Sequence, residues 1–363
     1  MANKSFMKKI FLLLFTITFL FDNSFSQGLI FDSAQFASRT SVRITRGALP
    51  KVYSLKKYTP IVFPQVGSTC VAQSFATART ILEAKNLGWT DKQKITGLYF
   101  SPYYIYYRNK MANDYNCNNG LMVEDAAKDV LKNGFAPLAD VEYPNYYPFT
   151  KEALCIEKNG TDYPPSMEDD ETEASKYKID EIYTVTTIQQ LKTALSSGMP
   201  IAVILFPPPS FSNVTTDLWT PAPTEVLNKN IMAHAVLAIG YDDIKYGGCV
   251  EIMNSWGDTW GNKGFTSIRY KDYAKFFVGG YAFYLKTKTP IKNNPTVINP
   301  NVPPKKDDVP AERKNNAPNK RDNDNSAPTL REAVTPTTIN VKRGYGNGVT
   351  KFNNSEFIKA FKK

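Results

Sequence analysis

Two features of the sequence predict an α+β fold, with helices mainly in the first half of the chain and strands mainly in the second. A run of helix-forming residues without Pro or Gly follows Ser68 and Thr69 and continues to Ala84. A second, amphipathic run over residues 121–133 ends at Gly134, a residue type common at helix C-termini. Short apolar runs typical of buried strands lie in the second half, at 183–186, 201–206, 235–239, 249–253, 265–270 and 280–285.

The amino-acid composition is that of a globular protein and disfavours several functional classes. The 363 residues, 42% hydrophobic and 21% charged, suffice for one large or two medium domains. Much of the net charge of +10 lies at the two ends, without a basic stripe interleaved with aromatic residues, so we expect no nucleic-acid partner. A single histidine excludes a multi-histidine metal centre, and four cysteines without a Cys-x-x-Cys spacing disfavour structural zinc. We therefore expect no metal ion.

Residues 1–26 have the pattern of a cleavable signal peptide. An apolar run over residues 10–21 is followed by small residues at Ser24 and Ser26, which would leave Gln27 as the new N-terminus. The positive charges in front of this run are Lys4, Lys8 and Lys9. The run is shorter than the roughly 20 apolar residues that span a bilayer. We therefore predict a secreted or periplasmic protein without integral membrane association, in a compartment where thiols can pair.

Polar segments flank the predicted domain, residues 49–286. Residues 27–48, called the leader below, contain Arg39, Arg43 and Arg46 and are either a short pro-segment or a passive extension. Residues 287–338 are rich in Pro, Asn, Lys and Asp, which predicts a disordered linker. Residues 339–363 form a C-terminal tail that either docks on a partner or stays disordered, with disorder favoured; the sequence does not identify the partner of this basic tail.

Cys70 is predicted to open the helix that follows it. Ser68 and Thr69 are good helix N-caps, and the unpaired N–H groups of a helix N-terminus favour an anion such as a thiolate. This stretch alone leaves two interpretations open, a nucleophilic cysteine and a buried structural one.

The only histidine and a following asparagine suggest partners for this cysteine. His234 lies on an apolar strand, and Asn254 comes 20 residues later. A thiol nucleophile needs a base, and the base needs an orienting group that holds one imidazole tautomer. By spacing alone the set is only suggestive, because cysteine, histidine and asparagine in this order are common.

Several blocks in order along residues 49–285 resemble the papain family of cysteine peptidases. They are Gly67-Ser68-Thr69-Cys70, Cys117-Asn118-Asn119-Gly120-Leu121, Glu142-Tyr143-Pro144, His234-Ala235-Val236-Leu237, Asn254-Ser255-Trp256-Gly257, Trp260-Gly261 and Lys263-Gly264-Phe265. The asparagine block is the most specific of these. The resemblance implies a papain-like two-lobe fold, with a helical lobe over about residues 65–160, a β-barrel-like lobe over about residues 177–286, and a cleft between them.

The resemblance assigns roles to the residues of this cleft. Cys70 would be the nucleophile, His234 the acid/base and Asn254 the orienting residue, with Trp256 shielding the Asn–His hydrogen bond from water. Gln65 would donate to the oxyanion together with the Cys70 backbone N–H.

The resemblance also implies that substrate backbone lies along Gly120 and Asn119. The chain departs from the family pattern in this turn and in the loop that carries the oxyanion donor. Asn119 replaces the usual first glycine of its turn. Gln65 is five residues before the nucleophile where the family usually has six, and Gln73 is the rival candidate for the oxyanion donor.

The cysteines also depart from the family. The cysteine usual in the nucleophile loop is missing, so Cys117 lacks its customary partner, and we predict a disulfide with Cys155 instead. Cys249, in an apolar strand, is interpreted as a core residue.

The function implied is that of a secreted papain-like cysteine endopeptidase. It would hydrolyse peptide bonds in proteins or peptides through a thioester acyl-enzyme, without a metal or cofactor. Two alternatives remain: another Cys/His acyl transferase or amidase on a related fold, and a non-catalytic secreted binding protein on a peptidase scaffold, with the tail as its anchor.

Overall fold

A computed structural model describes residues 28–45, 47–112, 114, 117–138 and 168–286, with the backbone alone at 168–170. The predicted signal peptide, linker and C-terminal tail lie outside these residues, as do Cys155 and the block 142–144, so those predictions stay predictions.

Helices and strands are distributed as the sequence predicts, and the α+β class is confirmed. The helices are α1 (Ser33–Ser38), α2 (Cys70–Leu87), α3 (Lys92–Gly97), α4 (Pro102–Asn109), α5 (Val123–Asn133), α6 (Glu168–Ala174), α7 (Ile188–Ser196), α8 (Pro209–Ser212) and α9 (Tyr270–Phe276). The strands are β1 (Leu29–Ile30), β2 (Val52–Ser54), β3 (Leu121–Met122), β4 (Glu181–Val185), β5 (Ile201–Leu205), β6 (Leu218–Trp219), β7 (His234–Asp242), β8 (Cys249–Met253), β9 (Phe265–Arg269) and β10 (Phe277–Tyr284).

The long helix α2 is buried on nearly all sides and packs between the sheet and α4. Such burial is typical of a helix that is apolar or small-residued all round. It begins at Cys70 as predicted, but the expected side-chain cap is absent: Thr69 Oγ1 donates to the Val66 carbonyl oxygen, and Ser68 Oγ donates to that of Asn118. The two hydroxyls therefore stabilise the approach to the helix instead of its first turn.

The β half is one sheet of eight strands within the described residues, in the order β4-β10-β5-β7-β8-β9-β6, with β2 added beside β7. This order has two free ends, so the barrel-like closure that the resemblance implied is not confirmed. The central strand β7 begins at His234 and packs against α2, which brings the start of the strand to the start of the helix.

The leader packs on the domain. Its strand β1 pairs in parallel with β3, and Leu29 also bridges to Ala233 just before β7. In α1, Asp32 accepts the first backbone N–H groups, and Phe36 is buried against Tyr281 of β10. Further along, the backbone N–H of Val42 donates to the Thr184 carbonyl oxygen in β4 at 2.9 Å.

Some element boundaries differ from the prediction. The helix expected over 121–133 begins only at Val123, because Leu121 and Met122 form the strand that receives the leader. The predicted loop 207–230 contains α8 and β6.

Candidate active site

Cys70 is the first residue of α2, and its side chain is fully buried. The backbone N–H of Ala235 in β7 donates to Cys70 Sγ at 3.4 Å. The backbone of Gly28 in the leader supplies another hydrogen bond to this sulfur. The sulfur therefore lies at the N-terminus of the long helix, between the strand that begins with His234 and the leader.

His234 and Asn254 form a buried hydrogen-bonded pair. His234 Nε2 is 2.8 Å from Asn254 Oδ1, and the same oxygen accepts the backbone N–H of Ser255 at 2.8 Å. Because an amide oxygen only accepts, this network assigns the proton of a neutral imidazole to Nε2. The other ring nitrogen, Nδ1, is then a bare acceptor, buried without a hydrogen-bond partner among the described residues. A base for the adjacent thiol needs this tautomer.

Aromatic side chains fix the plane of the imidazole. The rings of Trp256 and His234 stack, with centroids 4.5 Å apart and an interplanar angle of 20°. Phe211 in α8 packs edge-on against Trp256, with centroids 5.6 Å apart, and its carbonyl oxygen accepts the indole N–H of Trp260 at 2.8 Å. Sequence analysis missed Phe211, which lies in a stretch of Pro, Ser and Asn without hydrophobic periodicity.

The side-chain amide of Gln65 is held close to the nucleophile loop. Its Nε2 donates to the Gly67 carbonyl oxygen at 2.9 Å, and its Oε1 accepts from Ser255 Oγ at 2.6 Å. The rival Gln73 lies inside α2, where its Oε1 accepts from the Tyr99 hydroxyl at 2.8 Å.

The turn that contains Asn119 and Gly120 is held by hydrogen bonds to a buried carboxylate. The buried carboxylate of Asp114 accepts the backbone N–H of Asn118 at 3.0 Å and that of Asn119 at 3.5 Å. On its other side the turn receives the Ser68 hydroxyl. Asp114 was not predicted, because nothing in its sequence neighbourhood marks it as a turn anchor.

The leader occupies the cleft along this turn. The Leu29 N–H donates to the Ala233 carbonyl oxygen at 3.0 Å, and the Leu121 N–H donates to the Gly28 carbonyl oxygen at 2.9 Å. Gly120 has a φ of +70°, and a Cβ there would lie 2.2 Å from the Gly28 carbonyl oxygen. Only glycine allows so close an approach. The leader is thus hydrogen-bonded to both sides of the cleft and also to the sulfur between them.

Burial controls the protonation of the catalytic candidates. It raises the pKa of Cys70 to about 11, against the partial opposition of backbone hydrogen bonds, and lowers the pKa of His234 to about 4. Both groups are therefore neutral near pH 7. Exclusion of water in the buried site thus opposes the thiolate that the helix N-terminus would favour.

The cysteines are in two states. Cys70 and Cys249 are free and buried, whereas Cys117 is disulfide-bonded. Its predicted partner, Cys155, lies outside the described residues, so the pairing itself stays a prediction.

The contacts of the leader were the main feature that sequence analysis missed. The run Leu29-Ile30-Phe31 after Gly28 and the N-cap Asp32 are the signals that pointed to a strand followed by a helix. The described part of the chain contains no group of three or more His, Cys, Asp or Glu side chains suited to a metal ion. In the same residues, no helix has the length and apolar character needed to cross a bilayer.

Comparisons with known proteins identify the family. The model described as papain family cysteine protease matches residues 94–284, more than half of the 363-residue chain, in a range that begins after Cys70. A search of curated protein sequences found no significant match.

Solved structures share the fold. Xylellain, a cysteine protease from Xylella fastidiosa, is 24% identical with a TM-score of 0.54, over 72% of this chain and 96% of that one. Procathepsin B S9 from Trypanosoma congolense is 15% identical with a TM-score of 0.51, over 79% and 99%. Digestive procathepsin L 3 from Tenebrio molitor is 15% identical with a TM-score of 0.51, over 68% and 74%. The expected papain-like fold is thereby confirmed.

Proposed function

Because the chain belongs to the papain family of cysteine proteases, we propose that it is a secreted endopeptidase in which Cys70, His234 and Asn254 hydrolyse peptide bonds through a thioester acyl-enzyme. That the chain is a cysteine-type peptidase follows from its family. The assignment of residues rests on the buried hydrogen-bonded pair of Asn254 and His234. The residue after His234, Ala235, donates its backbone N–H to Cys70 Sγ, so the pair lies next to the sulfur.

The proposed mechanism begins when the leader leaves. The Cys70 thiol passes its proton to His234 Nδ1, and the thiolate attacks the carbonyl carbon of the substrate. The Cys70 backbone N–H and the Gln65 side-chain amide stabilise the negative oxygen of the tetrahedral intermediate. The imidazolium then protonates the leaving amine, and a water activated by His234 hydrolyses the thioester. Asn254 keeps the imidazole in its tautomer throughout.

The leader acts in this proposal as an inhibitory pro-segment. Cys70 is fully buried, and Gly28 of the leader supplies a backbone hydrogen bond to its sulfur. The stretch 43–45 is exposed and contains Arg43, a cleavage site for trypsin-like proteases. A cut there separates the covering strand from the domain.

The test is hydrolysis of casein by the full chain after limited treatment with immobilised trypsin, which is then removed. We expect cleavage by the wild type, none by Cys70→Ser and none by His234→Ala, which should also lose fast thiol alkylation near neutral pH. Cys249→Ser is the matched control, because Cys249 is the other free buried cysteine among the described residues, and it should keep full activity.

Several results would contradict the proposal. Casein cleavage that survives Cys70→Ser or His234→Ala would rule out the mechanism. Cleavage of peptidoglycan fragments in place of casein would favour an amidase. Fast Cys70 alkylation without turnover of any substrate would favour a binding protein.

A further inference from the structure

The leader places one buried ion pair beside the cleft. Arg39 Nη2 lies 2.7 Å from Glu124 Oε2, with side chains 14% and 2% exposed. Glu124 is the second residue of α5, the helix that follows directly on β3, and β3 pairs with the leader. Among the described residues, Arg39 is the only Lys or Arg within ion-pair distance of this carboxylate.

The surroundings of Glu124 form a pocket that the leader fills. The ring of Phe36 packs edge-on against Tyr281, with centroids 5.2 Å apart. A Cβ at Gly279 would lie 2.7 Å from Phe36 Cζ, so the missing side chain makes room for that ring. Burial, and to a smaller extent the negative charge of Glu124, raise the pKa of Tyr281, which indicates that the phenol lies close to the carboxylate. Phe36 and Arg39 thus occupy one space bordered by Gly279, Tyr281 and Glu124.

Departure of the leader changes the electrostatics of this pocket. Glu124 loses the guanidinium of Arg39, its only Lys or Arg partner among the described residues, while Tyr281 remains beside it. A carboxylate that is poorly solvated and unpaired is unfavourable, and a guanidinium that enters the pocket restores the pair. Arginine suits such a site, because its fork binds carboxylates and its stem packs on apolar surface.

The pocket is within reach of a peptide in the cleft. Leu121, which pairs with the leader backbone, precedes Glu124 by three residues, so their Cα atoms are at most about 11 Å apart. A residue bound along β3 can therefore direct a long side chain towards Glu124.

We propose that Glu124 is a specificity-determining residue of the leader-free enzyme, and that its pocket takes a basic side chain of the substrate, arginine in particular. The inference rests on the proposed peptidase function. In the full chain Arg39 fills this pocket in place of the substrate.

The test compares peptides that differ only in charge. Each peptide contains arginine, citrulline or phenylalanine at one of the positions flanking the cleaved bond. Citrulline is included because it keeps the length of arginine without its charge. The enzyme is the full chain after treatment with immobilised trypsin, which is then removed, and gel filtration takes away the released leader. Cys70→Ser, treated in the same way, is the blank for residual trypsin activity.

We expect the wild type to prefer arginine over citrulline at one position by roughly 10- to 100-fold in kcat/KM, the range of a charge-assisted hydrogen bond. Glu124→Gln should abolish this preference, so that the arginine and citrulline peptides are cleaved at similar rates, and this cleavage also shows that the variant is folded. Glu124→Asp, which keeps the charge, should retain part of the preference.

Three outcomes would overturn the inference. The first is an absence of arginine preference at every position. The second is a preference that Glu124→Gln leaves intact, and the third is a preference for phenylalanine alone. Loss of all Cys70-dependent peptide cleavage would refute the proposed function and this inference together, whereas cleavage without arginine preference would refute the inference only.

Discussion

Replacing Phe36 with alanine should release the leader without altering any group around Cys70. Phe36 is 2% exposed and belongs to the leader, and its ring contacts those of Phe31 and Tyr281 at centroid distances of 5.3 and 5.2 Å. Since the domain keeps its own residues, the substitution weakens docking of the leader more than folding of the domain.

The size of the effect follows from the buried ring. Truncation of a buried phenylalanine to alanine costs about 3–5 kcal/mol, which corresponds to a shift of about two to three and a half powers of ten in the docking equilibrium. Alkylation of Cys70 requires the open form, so its rate rises in proportion to the open fraction when docking is fast.

The assay is alkylation of the uncut protein by iodoacetamide at neutral pH, followed by mass spectrometry of the peptides that contain Cys70 and Cys249. Ile44→Ala is the control within the leader, because Ile44 is 50% exposed and its removal should not change the rate. A rate for Phe36→Ala equal to that of Ile44→Ala would refute the idea that Phe36 holds the leader in the cleft.

Two further predictions concern residues of the site. Burial lowers the pKa of His234 to about 4 in the folded protein. Because the imidazole of the unfolded chain keeps its ordinary pKa of about 6.5, the unfolded chain binds a proton more readily than the folded one. The free energy of unfolding should therefore fall by about 3 kcal/mol as the pH drops from about 6.5 to about 4. His234→Gln removes the only histidine, and urea unfolding of this variant should lack that part of the loss; equal pH dependences would contradict the burial argument. Gln65→Ala should lower kcat by about 10²- to 10³-fold with little change in KM, as for loss of one oxyanion donor. Gln73→Ala should leave kcat within a few-fold of wild type, and equal losses in both variants would count against Gln65.

Local patterns predicted much of the fold, because they depend on near neighbours in the sequence. The helix that begins at Cys70 and the strand 249–253 appear at the predicted positions. The cap was wrong for a reason that no local pattern contains: the hydroxyls of Ser68 and Thr69 serve carbonyl groups of Asn118 and Val66. The same residue types satisfy either arrangement.

The contacts of the leader could not be predicted from the sequence. Its strand has only two residues, and its partners lie at Leu121 and Ala233, far away in the sequence. Neither the Arg39–Glu124 pair nor the place of Phe36 over Gly279 leaves a periodic signal. Such pairings are determined by tertiary packing, so the sequence left open whether the leader is a pro-segment or passive.

The hydrogen bond from Gly28 has a consequence for self-processing. A sulfur that receives a backbone N–H lies near the plane of that flat peptide group. Nucleophilic addition to an amide requires approach from above or below this plane, which differs from the direction of the hydrogen bond. We therefore expect slow self-cleavage of the peptide group that donates to the sulfur in this way, and activation of the proposed enzyme by another protease molecule at the exposed stretch 43–45.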